Sequence, residues 1–144
     1  MAESAPATPA MDERSAPFFE AAERGVLALQ RCEACGIFLS PVRSRCTSCG
    51  DTRIAWVDAS GRGRIWSHGR LRRSFLPEHE GKLPLDLVLV ELDERVRFAS
   101  RMATGEASRF ATGADGNLRV GDRVAVVFER LANGTPVPVF RREV

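Results

Sequence analysis

The sequence lacks the features that would indicate a membrane protein or a dedicated nucleic-acid binder. Its 144 residues contain no apolar run of membrane-spanning length and no hydrophobic segment at the N-terminus of the kind that directs secretion. The formal net charge is only +2, which is small for a protein whose main partner is nucleic acid. We therefore expect a cytoplasmic protein that neither enters a membrane nor depends on nucleic acid.

Groups that carry out catalysis are also scarce. Tyrosine is absent, and the two histidines are His68 and His79. There is neither a GxSxG nucleophile elbow nor a glycine-rich phosphate loop. His79 lies in a charged segment typical of a solvated side chain, while His68 lies in a predicted strand, at the core edge or in a partner's active site. Because no nucleophile is paired with a base, we predict that this chain is not an enzyme on its own.

What the sequence does contain is two copies of a Cys-x-x-Cys-Gly motif. Cys32 and Cys35 form the first pair, Cys46 and Cys49 form the second, and ten residues separate the pairs. Four thiolates suit a tetrahedral zinc ion, and each following glycine lets the chain fold back with its N–H groups directed at sulfur. In a reducing compartment this spacing favours metal over two disulfides or four free thiols. We predict a compact, rubredoxin-like zinc ribbon.

A zinc ion bound by four cysteines has no open coordination position for water. We therefore expect it to be structural, stabilising a segment that has too few large apolar residues to fold unaided. Four thiolates around Zn(II) leave a net charge of about −2. Four nearby arginines are predicted to balance that charge, namely Arg31, Arg43, Arg45 and Arg53.

The composition divides the chain into three parts. Residues 1–16 are rich in alanine, proline and serine, and they are predicted to form a disordered arm because they have too little hydrophobic surface to pack. Residues 17–59 are predicted to form a short helix and the zinc ribbon. Residues 60–144 have the strand pattern of a second domain, so the predicted fold class is mainly β.

The predicted helix spans residues 17–24. Pro17 suits its first position and Gly25 suits the position after its end. A helix of this length is unstable alone and must dock on another surface. Two adjacent rings of one helix, Phe18 and Phe19, do not both point into a narrow core. We therefore consider docking on the chain's own domain, or an interface at which Phe18 and Phe19 contact a partner chain.

The second domain is predicted to contain five short strands. They are expected at residues 64–71, 85–92, 96–102, 124–129 and 137–141, with a hairpin turn at residues 132–134. A long, glycine-punctuated connection over residues 105–122 separates the third strand from the fourth. This arrangement suits a small Greek-key barrel of the OB-fold type. A five-stranded sandwich is the alternative.

Helix, ribbon and barrel in this order resemble the bacterial and archaeal family known as domain of unknown function 35. That family joins a rubredoxin-like zinc ribbon to an acyl-CoA-associated OB-fold. The resemblance extends from about residue 17 to the C-terminus. The matching segments are residues 17–22, 29–36, 46–50, 61–65, 88–92, 120–124 and 138–141.

The resemblance implies a function that spacing alone does not. Members of the family are small non-catalytic subunits that assemble with lipid-transfer-type thiolases, with related acyl-CoA aldolases or with hydratase subunits. This chain would accordingly pair with a thiolase-fold enzyme and help to bind acyl-CoA for carbon–carbon bond cleavage or formation. A hetero-oligomer of two partner and two accessory chains is expected because thiolase folds dimerise. The acyl group, and the choice among thiolase, aldolase and hydratase, stay open.

A cluster of arginines offers a site for the coenzyme. Arg70 and Arg72 share one strand parity, and Arg73 follows them. Guanidinium groups bind phosphates in bidentate pairs, and CoA carries a 3′-phosphate and a diphosphate. Together with the resemblance, the cluster predicts that Arg70, Arg72 or Arg73 binds the nucleotide end of CoA. The alternative is a solvated strand face paired with acids such as Glu78 and Glu80.

Two further interpretations belong to other functional classes. Many OB-folds bind single-stranded nucleic acid on aromatic side chains in a positive groove. The predicted barrel contains Trp66, Phe98, Phe128 and Phe140, but three of these four lie in apolar runs typical of a core. The other interpretation is a structural adaptor without any ligand contact, which the sequence does not separate from an acyl-CoA-binding subunit.

Overall fold

The structure is a computed structural model that describes residues 11–76, 79–81, 83–103 and 118–143. Within these ranges one short helix precedes eight strands, which confirms the mainly β class. The helix is α1 (Ala16–Glu23). The strands are β1 (Ala28–Cys32), β2 (Phe38–Leu39), β3 (Ile54–Asp58), β4 (Arg62–Leu71), β5 (Leu85–Leu92), β6 (Arg97–Arg101), β7 (Arg123–Arg130) and β8 (Pro136–Arg142).

The chain enters α1 through a hydrogen-bonded turn. The carboxylate of Asp12 accepts the backbone N–H groups of Arg14 at 3.1 Å and of Ser15 at 3.0 Å. At the other end, Gly25 has a φ of +74° and the backbone closes back on the helix, as in a Schellman motif. Residues 1–10 of the predicted arm lie outside the described residues, and the predicted domain boundaries stay predictions.

The strands form two antiparallel sheets. The smaller sheet has the order β2-β1-β3 and surrounds the cysteine motifs, while the larger has the order β6-β5-β4-β7-β8. A parallel bridge between Met102 and Phe140 brings the end of β6 to β8, so the larger sheet curls on itself. This curled five-stranded sheet is the predicted OB-fold arrangement, with the strands found within two residues of their predicted positions.

The ribbon and the barrel share one hydrophobic core. Leu27 and Leu29, which lead into the first cysteine pair, are fully buried in the same cluster as the barrel residues. The buried members of the cluster are Leu27, Leu29, Ile65, Val88, Val90, Leu92, Met102, Val124 and Phe140. The two parts are therefore joined by packing and not only by a linker.

Helix α1 docks on its own chain. Phe19 is buried, and Phe18 stacks on Phe98 with ring centroids 6.3 Å apart. The premise that two adjacent rings could not both pack was wrong. Phe18 packs against the barrel core, and its ring meets that of Phe19 edge to face, with the ring centroids 5.2 Å apart. Arg130 of β7 also pairs with Glu23 at 2.8 Å. The partner contact predicted for Phe18 and Phe19 stays a prediction.

Strand β4 changes its partners along its length. Its first residues pair with β7, while residues 63–71 pair with β5, with a bulge between Ile65 and Ser67. Beyond the bulge no further described strand pairs with β4, and its residues up to Arg70 are exposed. The far end of β4 and residues 72–76, which follow it, therefore project from the barrel.

Candidate functional site

The four cysteines converge on one point between the two knuckles of the ribbon. The sulfur of Cys32 lies 3.6 Å from that of Cys49, and the sulfur of Cys35 lies 3.6 Å from that of Cys46. All four sulfurs lie within 4.8 Å of one another. Cys32 and Cys46 are buried, whereas the second cysteine of each pair is exposed.

These distances match a metal site and not disulfides. A disulfide requires about 2.05 Å between sulfurs, so the 3.6 Å separations are non-bonded. A tetrahedron with zinc–sulfur bonds of about 2.3 Å has edges of about 3.8 Å. The donor set and its size therefore fit a four-coordinate Zn(II) ion with no position left for water.

The two knuckles repeat the same backbone pattern. Gly36 donates its N–H to the carbonyl of Cys32 at 2.9 Å, and Gly50 donates to the carbonyl of Cys46 at 3.1 Å. Both glycines have positive φ, +81° and +79°, a conformation that other residues rarely adopt. Backbone N–H groups also point at sulfur, as from Ser48 to the sulfur of Cys46 at 3.4 Å. The Cys-x-x-Cys-Gly spacing thus produces two halves of one site with the same hydrogen bonds and the same glycine conformation.

The arginine before each first cysteine strengthens its knuckle. Arg31 donates to the carbonyl of Gly36 at 3.1 Å, and Arg45 donates to the carbonyl of Gly50 at 2.7 Å. We predicted these arginines only as charge balance, and this bonding role was missed. Its signal in the sequence is the repeated Arg-Cys-x-x-Cys-Gly. Arg53 instead pairs with Asp51 at 3.0 Å.

The thiols affect one another's ionisation. The backbone N–H of Cys49 lowers the pKa of Cys46 to about 6, and that of Cys35 lowers the pKa of Cys32. Although the N–H of Asp51 acts in the same direction on Cys49, burial and the three neighbouring thiols outweigh it and raise the pKa of Cys49 to about 12. Four thiolates at this spacing need a cation between them, and a divalent metal supplies it.

A buried glutamine positions the loop between the knuckles. The side chain of Gln30 in β1 accepts the N–H of Arg43 at 2.6 Å and donates to the carbonyl of Arg43 at 3.0 Å. Because Gln30 is almost fully buried, both of its polar atoms need these partners. No pattern in the sequence identified this residue.

The predicted arginine cluster is divided by the structure. Arg70 pairs with the carboxylate of Asp86 at 2.8 Å, and the pKa of Arg70 is raised by this hydrogen bond. Arg72 and Arg73 are exposed, and they form no ion pair with any described residue, Glu80 included. Glu78, the other predicted acidic partner, lies outside the described residues. Among the described residues, two of the three arginines therefore have no acidic side chain to compensate their charge.

Exposed apolar side chains lie at the same end of β4. Phe75 is 103 % exposed and Leu76 is 47 % exposed in the loop that follows the strand. Leu87, near the start of β5, is also exposed. It lines a shallow groove of about 680 Å³ across β4, β5 and β6, whose walls are Ser67, His68, Gly69, Leu87, Val88, Leu89, Ala99, Ser100 and Arg101.

The histidines and aromatic rings have unequal environments. His68 is exposed on β4, while His79 is half-buried, with its Nδ1 2.7 Å from the hydroxyl of Ser74, and not simply solvated as predicted. Trp66 is exposed, with the guanidinium of Arg97 3.8 Å from its ring centroid. The three barrel phenylalanines pack in or against the core, as predicted, and they are Phe98, Phe128 and Phe140.

Fold and cysteine site together define a protein made of a zinc ribbon and an OB-fold. The model of ChsH2 rubredoxin-like zinc ribbon domains matches residues 19–55, and that of ChsH2 C-terminal OB-fold domains matches residues 56–129. The chain belongs to the ChsH2 family. No helix in the described part of the chain is long and apolar enough to cross a membrane.

Proteins similar to the chain include a solved structure and a curated relative. A chain of the Ltp2-ChsH2(DUF35) aldolase has a TM-score of 0.77 and 28% sequence identity, covering 95% of this chain and 100% of that one. It confirms the resemblance to domain of unknown function 35. A probable enoyl-CoA hydratase alpha subunit of Thermomonospora curvata is 32% identical over 94 residues, which are 65% of this chain. The match spans only 29% of that relative's length.

Proposed function

We propose that this chain is the non-catalytic, zinc-containing accessory subunit of an aldolase complex whose other subunit supplies the catalytic residues. The observation that carries the proposal is the likeness to a whole chain of the Ltp2-ChsH2(DUF35) aldolase, at a TM-score of 0.77. The chemistry of this chain supports it, because all four cysteines belong to the metal cluster and none is free to act as a nucleophile.

The partner is proposed to be a thiolase-fold protein of the lipid-transfer type. Thiolase folds dimerise, so a hetero-oligomer of two partner and two accessory chains is the expected assembly. Zinc is proposed to be structural, because four sulfurs complete its coordination. The reaction would be the cleavage or formation of a carbon–carbon bond in an acyl-CoA.

Within this assembly, Arg72 and Arg73 are proposed to bind the phosphates of acyl-CoA. Both guanidinium groups are exposed and without an acidic partner among the described residues, so their charge is available to an anion. Arg70 is the weaker candidate of the predicted three, because Asp86 already neutralises it. The interpretation as a structural adaptor without ligand contact assigns no role to these two exposed arginines.

The accessory role is tested by affinity purification of the tagged chain from its native cell, followed by mass spectrometry. Recovery of a thiolase-fold protein in stoichiometric amount, and acyl-CoA cleavage by the complex but not by either chain alone, is the expected result. Recovery of the chain by itself would contradict the proposal.

The coenzyme contact has a separate test in the purified complex. Replacing Arg72 and Arg73 by glutamate should weaken acyl-CoA binding at least tenfold without dissociating the complex. Arg141→Glu is the matched control, since Arg141 is exposed and has no ion pair within the described ranges. Unchanged affinity in the double variant would eliminate the two arginines as phosphate ligands.

A hydratase partner is the second candidate. The match to a probable enoyl-CoA hydratase alpha subunit favours it, although only part of that relative is matched. The two candidates differ in product, since a hydratase adds water across a double bond and keeps the carbon chain intact. Mass spectrometry of the products of the purified complex therefore separates them.

Nucleic-acid binding has less support. Stacking platforms must be accessible to bases, whereas Phe140 is buried and Phe98 and Phe128 pack against the core. The groove on β4, β5 and β6, the face with which OB-folds bind oligonucleotides, is lined mainly by small and aliphatic side chains. Weak retention of the purified chain on heparin at physiological salt is the expected result.

A further inference from the structure

The loop after β4 presents an aromatic side chain to solvent in a defined position. Phe75 is 103 % exposed, whereas Phe19 and Phe140 are buried. An aromatic ring in water forgoes the favourable burial that dominates core and interface energetics. Leu76, 47 % exposed, extends the same apolar surface.

Hydrogen bonds within the loop support this presentation. The hydroxyl of Ser74 accepts the backbone N–H of Leu76 at 3.1 Å, and it lies 2.7 Å from Nδ1 of His79. His79 donates its own backbone N–H to the carbonyl of Leu76 at 3.0 Å. Phe75 thus lies on a turn closed by its neighbours, and an ordered anchor loses less conformational entropy on binding than a flexible one.

The neighbouring charges indicate what approaches this loop. Arg72 and Arg73 lie three and two residues before Phe75, and they have no acidic partner among residues the structure describes. Aromatic side chains are enriched in interface hot spots, whereas arginines without an acidic partner suit an anionic ligand. A loop open to solvent cannot enclose a nucleotide by itself, so a second surface must provide the opposite wall.

We propose that Phe75 and Leu76 form the anchor by which this chain docks on the catalytic subunit of its complex. This inference rests on the proposed function and adds the docking site to it. The catalytic subunit would receive the two side chains in an apolar pocket. Arg72 and Arg73 would then lie at the junction of the two chains, facing the phosphates of acyl-CoA bound there, and the coenzyme site would be complete only in the assembly.

The test compares variants of this chain in binding the catalytic subunit obtained by affinity purification. Phe75→Ser combined with Leu76→Ser should weaken binding at least about 30-fold, as expected for the loss of a hot-spot aromatic. Val120→Ser is the matched control, because Val120 is 67 % exposed and precedes Gly121, which hydrogen-bonds to Ile65. Ile65 lies about 20 Å back along β4 from the loop. The control should bind like the unmodified chain.

A second pair of measurements separates docking from other effects. Both replaced side chains are exposed, so the thermal midpoint of the free variant should equal that of the unmodified chain. Phe75→Leu with Leu76 unchanged keeps an apolar anchor, so this variant should retain most of the binding that the double serine variant loses. Arg72→Gln with Arg73→Gln should leave assembly unchanged and reduce acyl-CoA affinity.

The outcomes distinguish this inference from the function on which it rests. If the unmodified chain captures a catalytic subunit and the Phe75 and Leu76 variant binds it equally well, the docking site is wrong and the proposed function stands. If the unmodified chain captures none, both are wrong. Concentration-dependent self-association of the free chain that is lost in the same variant would assign the loop to a second copy and overturn the inference.

Discussion

At the scale of single residues, the metal centre is produced by short-range chemistry repeated twice. In each Arg-Cys-x-x-Cys-Gly segment, the glycine adopts a positive φ and its carbonyl accepts a hydrogen bond from the arginine side chain. The N–H groups of the knuckle then point at sulfur. Each half of the site therefore depends on residues within six positions of one another, which is why the sequence alone predicted it.

Replacing a buried ligand should remove the metal. We expect Cys46→Ser to abolish zinc binding, because the sulfur of Cys46 lies 3.6 Å from that of Cys35 and completes the tetrahedron. The measurement is zinc per chain by atomic emission after gel filtration. Ser48→Ala is the control, since Ser48 contributes its backbone N–H and not its hydroxyl. Equal zinc content in the Cys46 variant would contradict the assignment.

Two glycines of β4 should respond differently to the same substitution. A Cβ on Gly63 would lie 2.3 Å from the carbonyl oxygen of Glu91, whereas a Cβ on Gly69 would meet nothing within 4 Å. We expect Gly63→Ala to lower the free energy of unfolding by about 1–3 kcal/mol because backbone must move. Gly69→Ala should change it by less than about 1 kcal/mol. Urea denaturation of the two variants measures both, and equal effects would contradict the close approach.

At the scale of secondary-structure elements, α1 is stabilised by the packing of its phenylalanine rings and by one ion pair to the barrel. Phe18 packs against the barrel core and Phe19 is buried beside it, while Glu23 pairs with Arg130 of β7. Eight residues are too few for a stable isolated helix. Its formation therefore depends on these tertiary contacts.

The ion pair at the end of α1 should give a pH-dependent contribution to stability. Arg130 lowers the pKa of Glu23 below its ordinary value of 4.5, so the ion pair stabilises the fold fully above about pH 4.5. The contribution is lost as the pH falls below that value and through the lower pKa of the folded state. Glu23→Gln should lower the thermal midpoint slightly at pH 7 but not at pH 3.

Salt and a neighbouring carboxylate provide the controls for this ion pair. Both partners are more than half exposed, so high salt should reduce the effect of the substitution. Glu20→Gln, an exposed change on the same helix, should have no effect at either pH. A Glu23 effect that persists at pH 3 would argue for packing instead of charge.

At the scale of the whole molecule, the ribbon and the barrel are expected to unfold as one unit. Leu27 and Leu29 lie within the barrel's core cluster, so loss of the ribbon exposes barrel side chains. Since a metal that binds only the folded state stabilises it, zinc should stabilise both parts and not the ribbon alone.

The two tryptophans allow this to be measured. Trp56 lies in β3 of the ribbon and Trp66 in β4 of the barrel, so Trp66→Phe and Trp56→Phe variants each report on one part. We expect the same thermal midpoint from both, and an equal decrease of both after chelation of the metal. Excess zinc should reverse the decrease. A ribbon signal that shifts alone would show that the two parts unfold independently.

Much of the fold could be predicted from the order of residues because its determinants are local. Strand positions follow from short apolar runs bounded by turn residues, as with the Ala132-Asn133-Gly134 turn between β7 and β8. The metal ligands follow from two identical motifs. The family resemblance rested on the same segments and was confirmed by the models that match residues 19–129.

Only the tertiary structure decided which arginines are paired with acids and which phenylalanines are buried. Arg70 pairs with Asp86, sixteen residues away across β4 and β5, while the nearby Arg72 and Arg73 have no acidic partner within the described ranges. Strand parity alone does not predict that difference. Phe75 is exposed to solvent while Phe18 and Phe19 are packed, although each of the three lies in a short apolar run of the sequence. Local pattern specifies which elements form, whereas burial and charge pairing depend on which elements fold against each other.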